Sequence, residues 1–249
     1  MIKNNENTIK MSSINIEGDK HLDTVIRFLQ ENSPEVICLQ EVFEKDFPAI
    51  KKHLDMNGYF APMTIEKTNG SEDNFTACGI AILTSLAIEK IWPPLYYFGK
   101  SDVIPFVDKR DMSTINKVLL SMVIIKYNNR FTLGTTHFTL SEDGKADENQ
   151  RRDLEKLLTI LNDFEELILC GDFNAPRGEE IFSKISSRYK DNIPLEYETS
   201  LDSNLHRAKG LKLMIDGLFT TPHYQAGNVR LIEGVSDHCA ITAKISRSS

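Results

Sequence analysis

The feature that most constrains the fold is a strand–helix–strand plan near the start of the chain. Residues 9–16 read as a β-strand, apolar residues then recur at helical spacing over 22–29, and residues 36–39 form a second apolar run of strand length. Gln40 and Glu41 follow this run directly. The strand–helix–strand unit therefore places Glu41 at the carboxyl end of its second strand.

The same plan recurs in the second half of the chain. Leucines at helical spacing over 154–161 precede an apolar run at 167–170, and Asp172 follows that run. In sheets whose parallel strands are connected by helices, ligands usually bind in the crevice beyond the carboxyl ends of the strands. We therefore expect Glu41 and Asp172 to face one site.

The remaining strand-length runs point to a larger sheet structure. They lie at residues 79–83, 117–126, 130–137, 211–219 and 239–245. Asn128-Asn129 predicts a hairpin turn, and residues 92–116 read as a long irregular segment, which is often functional inside a compact domain. With interspersed strands and few helices, we predict an α/β fold of two packed mixed sheets with helices outside, in one domain over residues 1–249.

Composition sets further limits. The 249 residues carry 29 Lys and Arg against 36 Asp and Glu, a net charge of −7, which argues against a broadly basic DNA-coating protein. No apolar run approaches the about 20 residues that span a bilayer, and the N-terminus lacks a secretory or transit pattern, so we expect a cytoplasmic protein. Four widely spaced cysteines within or beside apolar runs are expected to be reduced core thiols: Cys38, Cys78, Cys170 and Cys239.

Four short segments carry side chains suited to catalysis, and each has an ordinary alternative. Glu41 follows a strand, where a solvated acid is common. In the segment Gly171-Asp172-Phe173-Asn174, an acid and an amide two residues apart can contact one ligand. The alternative is an Asx turn. His137 ends a strand, where an imidazole is more often structural. Ser236-Asp237-His238 begins a strand and reads equally well as a cap or turn.

Other catalytic motifs are absent from the sequence. Residues 234–238 lack the second glycine of a nucleophile elbow, and no P-loop, dinucleotide-binding or HExxH motif occurs. The remaining candidates are carboxylates, amides and imidazoles, whose oxygen atoms suit Mg²⁺ or Mn²⁺ better than Zn²⁺. Because Mg²⁺ commonly acts on phosphate substrates, phosphoryl chemistry is the coherent interpretation.

Taken together and in order, the motifs resemble the endonuclease/exonuclease/phosphatase superfamily. The resembling segments are SINIEG, ICLQEV, GIAILTS, TTHFTL, LCGDFNAP, MIDGLF and VSDHCAI. The superfamily comprises metal-dependent phosphoesterases, among them pancreatic-type deoxyribonucleases, sphingomyelinases and inositol-phosphate 5-phosphatases. The resemblance implies a four-layer α/β sandwich. Similarity is greatest to the tyrosyl-DNA phosphodiesterase branch. It lies in the segments NIEG and LQEV and in the predicted helix that contains Gln150-Arg151-Arg152.

The resemblance implies a metal site for Mg²⁺, with Mn²⁺ as an alternative. Glu41 matches the principal metal ligand, and Asn15 lies beside it in the shell that holds metal and phosphate. Asp237 looks like a second carboxylate on the metal side.

The resemblance also implies roles in phosphoryl transfer. Asp172 matches the residue that orients and deprotonates the attacking water, and Asn174 matches the amide that binds a phosphate oxygen. His137 and His238 match imidazoles that stabilise the transition state, while Asp216 looks like the carboxylate that orients His238. This division suits a reaction that needs charge neutralisation and an in-line water.

The chain also departs from the family pattern. Met214 stands near Asp216 where many members have arginine, and residues 197–207 lack the tryptophan expected for the tyrosyl-DNA phosphodiesterase branch. Arg110 has the position of a basic residue that many members place before the central strand. Arg110 and Arg151 are therefore candidate substrate-binding residues, with a solvated surface charge as the alternative for Arg151.

Three functions stay open on the sequence. We expect a Mg²⁺-dependent phosphodiesterase that acts on nucleic acid, DNA or RNA, or on a blocked nucleic-acid end. The alternatives are a phosphoesterase acting on a small or lipid-headgroup phosphate and a catalytically silent binding module. The presence of Glu41, Asp172, Asn174 and His238 speaks against the silent module. No protein partner can be inferred.

Overall fold

The computed structural model describes residues 7–68, 74–107 and 114–248. Its strands are β1 (Thr8–Asn15), β2 (Val36–Phe43), β3 (Asn57–Lys67), β4 (Phe75–Thr84), β5 (Ala87–Ile91), β6 (Leu95–Phe98), β7 (Lys117–Lys126), β8 (Asn129–His137), β9 (Ile168–Asp172), β10 (Lys190–Asp191), β11 (Asp216–Thr220), β12 (Tyr224–Ile232) and β13 (Ala240–Arg247). Its α-helices are α1 (Leu22–Asn32), α2 (Phe47–Leu54), α3 (Glu148–Leu161) and α4 (Glu180–Ser186).

The described strands form two mixed sheets. The first has the order β12-β13-β1-β2-β4-β3, and the second has the order β10-β11-β9-β8-β7-β5, with β6 also paired to β7. Apolar side chains from both sheets meet in one central core, α1 and α2 cover the first sheet, and α3 and α4 cover the second. The four layers confirm the α/β sandwich predicted from the sequence.

Two strand–helix–strand units place the ends of four strands together. β1 pairs parallel to β2 with Asn15 opposite Gln40, and β8 pairs parallel to β9 with His137 opposite Asp172. In each sheet the two carboxyl ends therefore lie side by side, as the repeated plan predicted.

Helix α3 shows how the local sequence builds one of these units. The Asp147 carboxylate caps the helix by accepting the backbone N–H of Gln150 at 2.7 Å. The leucines of the helical pattern, Leu154, Leu157 and Leu161 among them, are buried against the second sheet. A polar cap followed by an apolar stripe therefore fixes both the start and the packing face of this helix.

Several predicted elements differ in the structure. The segment 92–116 contains strand β6, which pairs with β7, so it is not irregular throughout. The strand predicted at 211–219 begins only at Asp216, because the preceding backbone binds the side chains of Thr199 and Ser200 instead of a neighbouring strand. The hairpin turn lies at Tyr127-Asn128, one residue earlier than predicted, and both residues have positive φ.

The four cysteines are buried and free, which agrees with core thiols. Among the described helices, none is long and apolar enough to cross a membrane.

Candidate active site

Glu41 is directed into the site by a β-bulge. The pairing of β2 with β4 shifts register between Leu39 and Val42, and Glu41 has a φ of 54°. A bulge of this kind turns one side chain out of the regular alternation of the strand. The Glu41 side chain is 36% exposed, so it lines an open crevice.

Asn15 joins the two acids that the sequence predicted to meet. Its Nδ2 donates to Glu41 Oε1 and to Asp172 Oδ2, both at 3.1 Å. Its Oδ1 accepts the backbone N–H of Glu17 at 3.2 Å, which fixes the amide orientation. One carboxylate from each sheet therefore accepts a hydrogen bond from the Asn15 side-chain amide.

A second contact between the sheets supports this junction. Gln40, the residue before Glu41, donates from Nε2 to Thr135 Oγ1 in β8 at 2.9 Å. Gln40 is fully buried, and its Oε1 has no hydrogen-bond partner. This contact ties the carboxyl end of β2 to the strand that carries His137.

The loop after β9 holds Asp172 and Asn174 in a tight turn. A side chain at Gly171 would lie 2.0 Å from the Thr136 carbonyl oxygen, and its φ is 143°, so only glycine fits. The Asn174 backbone N–H donates to Asp172 Oδ1 at 2.8 Å, an Asx-type bond. The Asx turn raised as an alternative by the sequence is therefore present, and the functional role of Asp172 stays a prediction.

Gln150 supports this loop from α3. Its Nε2 donates to the carbonyl oxygens of Thr139 and Asn174 at 2.7 and 3.0 Å, and the residue is fully buried. Asn174 Nδ2 in turn donates to the Phe138 carbonyl at 3.1 Å. The sequence indicated no role for Gln150, although its place before two arginines at a helix start was visible.

Two histidines flank Asp172. His137 Nε2 lies 3.6 Å from Asp172 Oδ2 and 3.9 Å from Glu41 Oε1. His238 Nε2 lies 3.8 Å from Asp172 Oδ2, while its Nδ1 contacts Asp216 Oδ2 at 2.7 Å. We call Glu41, His137, Asp172, Asp216 and His238 the acid–imidazole cluster.

The two imidazoles differ in pKa. Burial lowers the pKa of His238, but the carboxylates of Asp216 and Asp172 outweigh this effect and hold the pKa well above its ordinary value. Burial lowers the pKa of His137 to about 4, although Asp172 opposes the shift. The neighbouring carboxylates therefore favour the protonated form of the His238 ring, whereas burial favours the neutral form of the His137 ring.

Two further carboxylates respond to burial and crowding. Burial raises the pKa of Glu41 to about 7, and the hydrogen bond from Asn15 opposes this shift. Burial also raises the pKa of Asp237, which lies next to His238 and accepts from Ser236 Oγ at 3.3 Å. The negative charge of Asp237 raises the pKa of Glu41 further.

Three donor atoms lie close enough to surround an ion. Atoms of Asp172, Asp216 and His238 fall within 4.8 Å of one another, and all three residues are buried. The Nδ1 atom of His238 is already committed to Asp216, which makes this trio a hydrogen-bonded relay rather than an open site. Asn15 joins this trio to Glu41 through its hydrogen bonds to Asp172 and Glu41.

Lys117 is a buried basic residue that the sequence interpretation missed. It begins β7, is 4% exposed and donates from Nζ to the Phe138 carbonyl at 3.3 Å. Burial lowers its pKa to about 8, and the charges of Asp172, Asp153 and Glu41 oppose the shift. Its place at the first residue of a central strand was the available signal.

Of the two predicted substrate-binding arginines, the structure describes Arg151 alone. Arg151 lies on the exposed face of α3, where its guanidinium binds both carboxylate oxygens of Glu180. Arg110 lies outside the described residues. Their contact with substrate stays a prediction.

Comparison with known proteins agrees with this geometry. The model of the Endonuclease/Exonuclease/phosphatase family matches residues 12–238. Among curated proteins, no sequence matches this chain significantly.

Solved structures share the fold over nearly the whole chain. The human Nocturnin catalytic domain with bound sulfate anion has a TM-score of 0.71 at 18% identity, covering 98% of this chain and 96% of its own. D. rerio TDP2 with a single-strand DNA product has a TM-score of 0.67 at 14% identity, covering 96% and 99%. An endonuclease/exonuclease/phosphatase from Bacteroides vulgatus has a TM-score of 0.70 at 14% identity, covering 97% and 99%.

TDP2 is thus among the proteins that share this fold. The match over residues 12–238 spans most of the chain. The chain therefore belongs to the endonuclease/exonuclease/phosphatase family, whose members are hydrolases acting on phosphoester bonds.

Proposed function

We propose that this protein is a Mg²⁺-dependent phosphodiesterase that hydrolyses a nucleic-acid phosphodiester or a blocked nucleic-acid end, with residues 1–249 acting as one domain. The observation that carries the proposal is the position of Asp172. Its carboxylate lies between two imidazoles and accepts hydrogen bonds from Asn15 and Asn174, beside the partly exposed Glu41. An acid held in this way is suited to positioning and deprotonating a water.

The surrounding residues would stabilise charge and bind the phosphate oxygens. The cationic His238 neutralises negative charge that develops on the phosphate oxygens, and Asp216 keeps its ring oriented. One N–H of the Asn174 amide donates to the Phe138 carbonyl, and the second, which has no partner among the described residues, is available to a phosphate oxygen. The neutral His137 offers a further hydrogen bond beside Asp172.

The donor set fits a hard divalent cation. Within the described ranges, no lysine or arginine forms an ion pair with Glu41, Asp172, Asp216 or Asp237, and His137 and His238 are the basic side chains within 4 Å of the first three. Glu41 and Asp237 would hold the ion, with Asn15 beside them, because Mg²⁺ prefers oxygen ligands and keeps several waters. Bound Mg²⁺ or Mn²⁺ supplies charge that stabilises the phosphate oxygens.

Two further observations support the details of the proposal. The TDP2 neighbour was solved with a single-strand DNA product, which favours nucleic acid as the substrate class. The four free, buried cysteines are those expected of a chain kept in a reducing, cytoplasmic compartment. No comparable observation supports the alternative function, a phosphoesterase acting on a small or lipid-headgroup phosphate.

A substrate screen tests the proposal. Purified protein with Mg²⁺ or Mn²⁺ is incubated with single-stranded and duplex DNA, RNA, 5′-tyrosyl DNA, sphingomyelin and inositol phosphates. We expect hydrolysis of a nucleic-acid substrate and its loss after exhaustive chelation. Full activity after chelation contradicts the metal dependence, and turnover confined to sphingomyelin or inositol phosphates contradicts the substrate class.

A further inference from the structure

His206 lies beside the acid–imidazole cluster although no motif singled it out. Its ring centroid is 6.3 Å from that of His238, and the two rings are inclined by 76°. The residue is partly exposed, in the loop between β10 and β11. A third imidazole therefore lies at the rim of the crevice that holds Asp172.

The loop that carries His206 is fixed to the segment that carries His238. Asp202 accepts the backbone N–H groups of Asn204, Leu205 and Gly234 at 2.6–2.8 Å. The Asp202 backbone N–H donates to the Asp237 carbonyl at 2.8 Å. Because the Asp202 carboxylate binds both segments, the position of His206 relative to His238 is set by the fold.

One ring nitrogen of His206 is committed and the other is free. His206 Nδ1 lies 3.2 Å from the Ala208 backbone nitrogen and 3.4 Å from the Ala208 carbonyl oxygen. We assign the shorter contact as the hydrogen bond, with the backbone N–H donating to Nδ1, which places the proton of a neutral ring on Nε2. Among the residues that the structure describes, none forms a hydrogen bond with Nε2. His206 therefore offers a fixed N–H donor at the rim of the site.

Resting on the proposed function, we propose that His206 is a specificity-determining residue that binds the nucleoside next to the scissile phosphate. In the proposed function His238 contacts the phosphate, so a ring whose centre is 6.3 Å from that of His238 is placed for the next part of the substrate. A nucleoside has acceptor oxygens on its sugar and base that suit an imidazole N–H donor. The contact favours nucleotide esters over phosphodiesters that lack a nucleoside.

Two chromogenic substrates with the same leaving group test this proposal. Thymidine 5′-(4-nitrophenyl phosphate) carries a nucleoside, and bis(4-nitrophenyl) phosphate does not. We expect His206→Ala to lower the ratio of kcat/KM for the thymidine ester to that for the diester by about tenfold, mainly through KM, as for the loss of one hydrogen bond. His206→Gln, which keeps an N–H donor, should recover part of the ratio.

The control is His53→Ala, on the exposed surface of α2, which should leave both substrates unchanged. Equal losses on the two substrates, or no loss on either, overturn the role of His206 while the phosphodiesterase stands. Wild-type turnover of the diester but not of the thymidine ester overturns the nucleoside as the ligand. A wild type inactive on both overturns the proposed function, and the role of His206 with it.

Discussion

Asp172 and Glu41 are both acids of one crevice, but their surroundings differ. Asp172 is 2% exposed, and both of its oxygens accept hydrogen bonds from asparagine groups. Glu41 is 36% exposed and accepts one such bond, from Asn15. A buried, oriented carboxylate suits proton transfer, whereas an exposed one suits a hydrated metal ion.

Amide substitutions should therefore fail differently at the two positions. Asp172→Asn keeps the shape but removes the base, so we expect kcat to fall by about 10² or more without rescue by added Mg²⁺. Glu41→Gln removes a ligand charge, so the Mg²⁺ concentration for half-maximal activity should rise, with partial rescue by excess metal or Mn²⁺. Steady-state kinetics over a range of metal concentrations measure both effects.

Thermal melting of both variants provides the control, because each change is nearly isosteric and should leave the fold intact. Near-normal turnover by Asp172→Asn, or its rescue by metal as fully as Glu41→Gln, contradicts the assignment of Asp172 as the base.

At the scale of elements, the sequence predicted the parts that depend on periodicity. The two strand–helix–strand units and β7 follow from apolar spacing, and their parallel pairing brings Asn15, His137 and Asp172 to one end of the sheets. Periodicity does not encode the bulge that redirects Glu41, because a bulge is an interruption of the regular pairing. Lys117 and His206 were missed because their burial or neighbours depend on contacts distant in sequence.

The strands are also joined at the end opposite the candidate site. Arg247 at the end of β13 binds both carboxylate oxygens of Glu166, which precedes β9, and Tyr224 donates to the same carboxylate at 3.1 Å. The hydrogen bond from Arg247 lowers the pKa of Glu166 most, with burial opposing it. This contact links the first sheet to the second.

Glu166→Gln should destabilise the protein by about 1–2 kcal/mol at neutral pH, because it removes a charged hydrogen-bonded pair between the sheets. Since the folded pKa of Glu166 is lowered, its contribution is present above the unfolded value of about 4.3 and is lost as the pH falls through the folded pKa. Denaturant unfolding of wild type and variant at several pH values measures the difference.

Glu155→Gln, an exposed change on α3, serves as the matched control and should have little effect at any pH. A difference between Glu166→Gln and wild type that stayed constant from neutral to acidic pH would show that the carboxylate charge contributes nothing.

At the scale of the whole molecule, the candidate metal site exists only in the folded state. Asn15 and Glu41 come from the first sheet near the start of the chain, while Asp237 comes from the segment before β13. The unfolded chain cannot hold these oxygens together. An ion that binds the native state alone raises the free energy of unfolding by mass action.

Mg²⁺ should therefore stabilise the protein in the absence of any substrate. At about ten times the dissociation constant, the gain is about 1.4 kcal/mol, which for a chain of this size raises Tm by about 3–6 °C. Glu41→Gln should show a smaller rise at the same Mg²⁺ concentration, whereas Glu31→Gln, which removes an exposed charge on α1, should respond like wild type. Differential scanning calorimetry across a Mg²⁺ titration measures all three proteins. Because general screening by salt acts on every variant alike, equal shifts in wild type and Glu41→Gln would place the ion away from Glu41, and no shift in wild type would remove the metal site from this crevice.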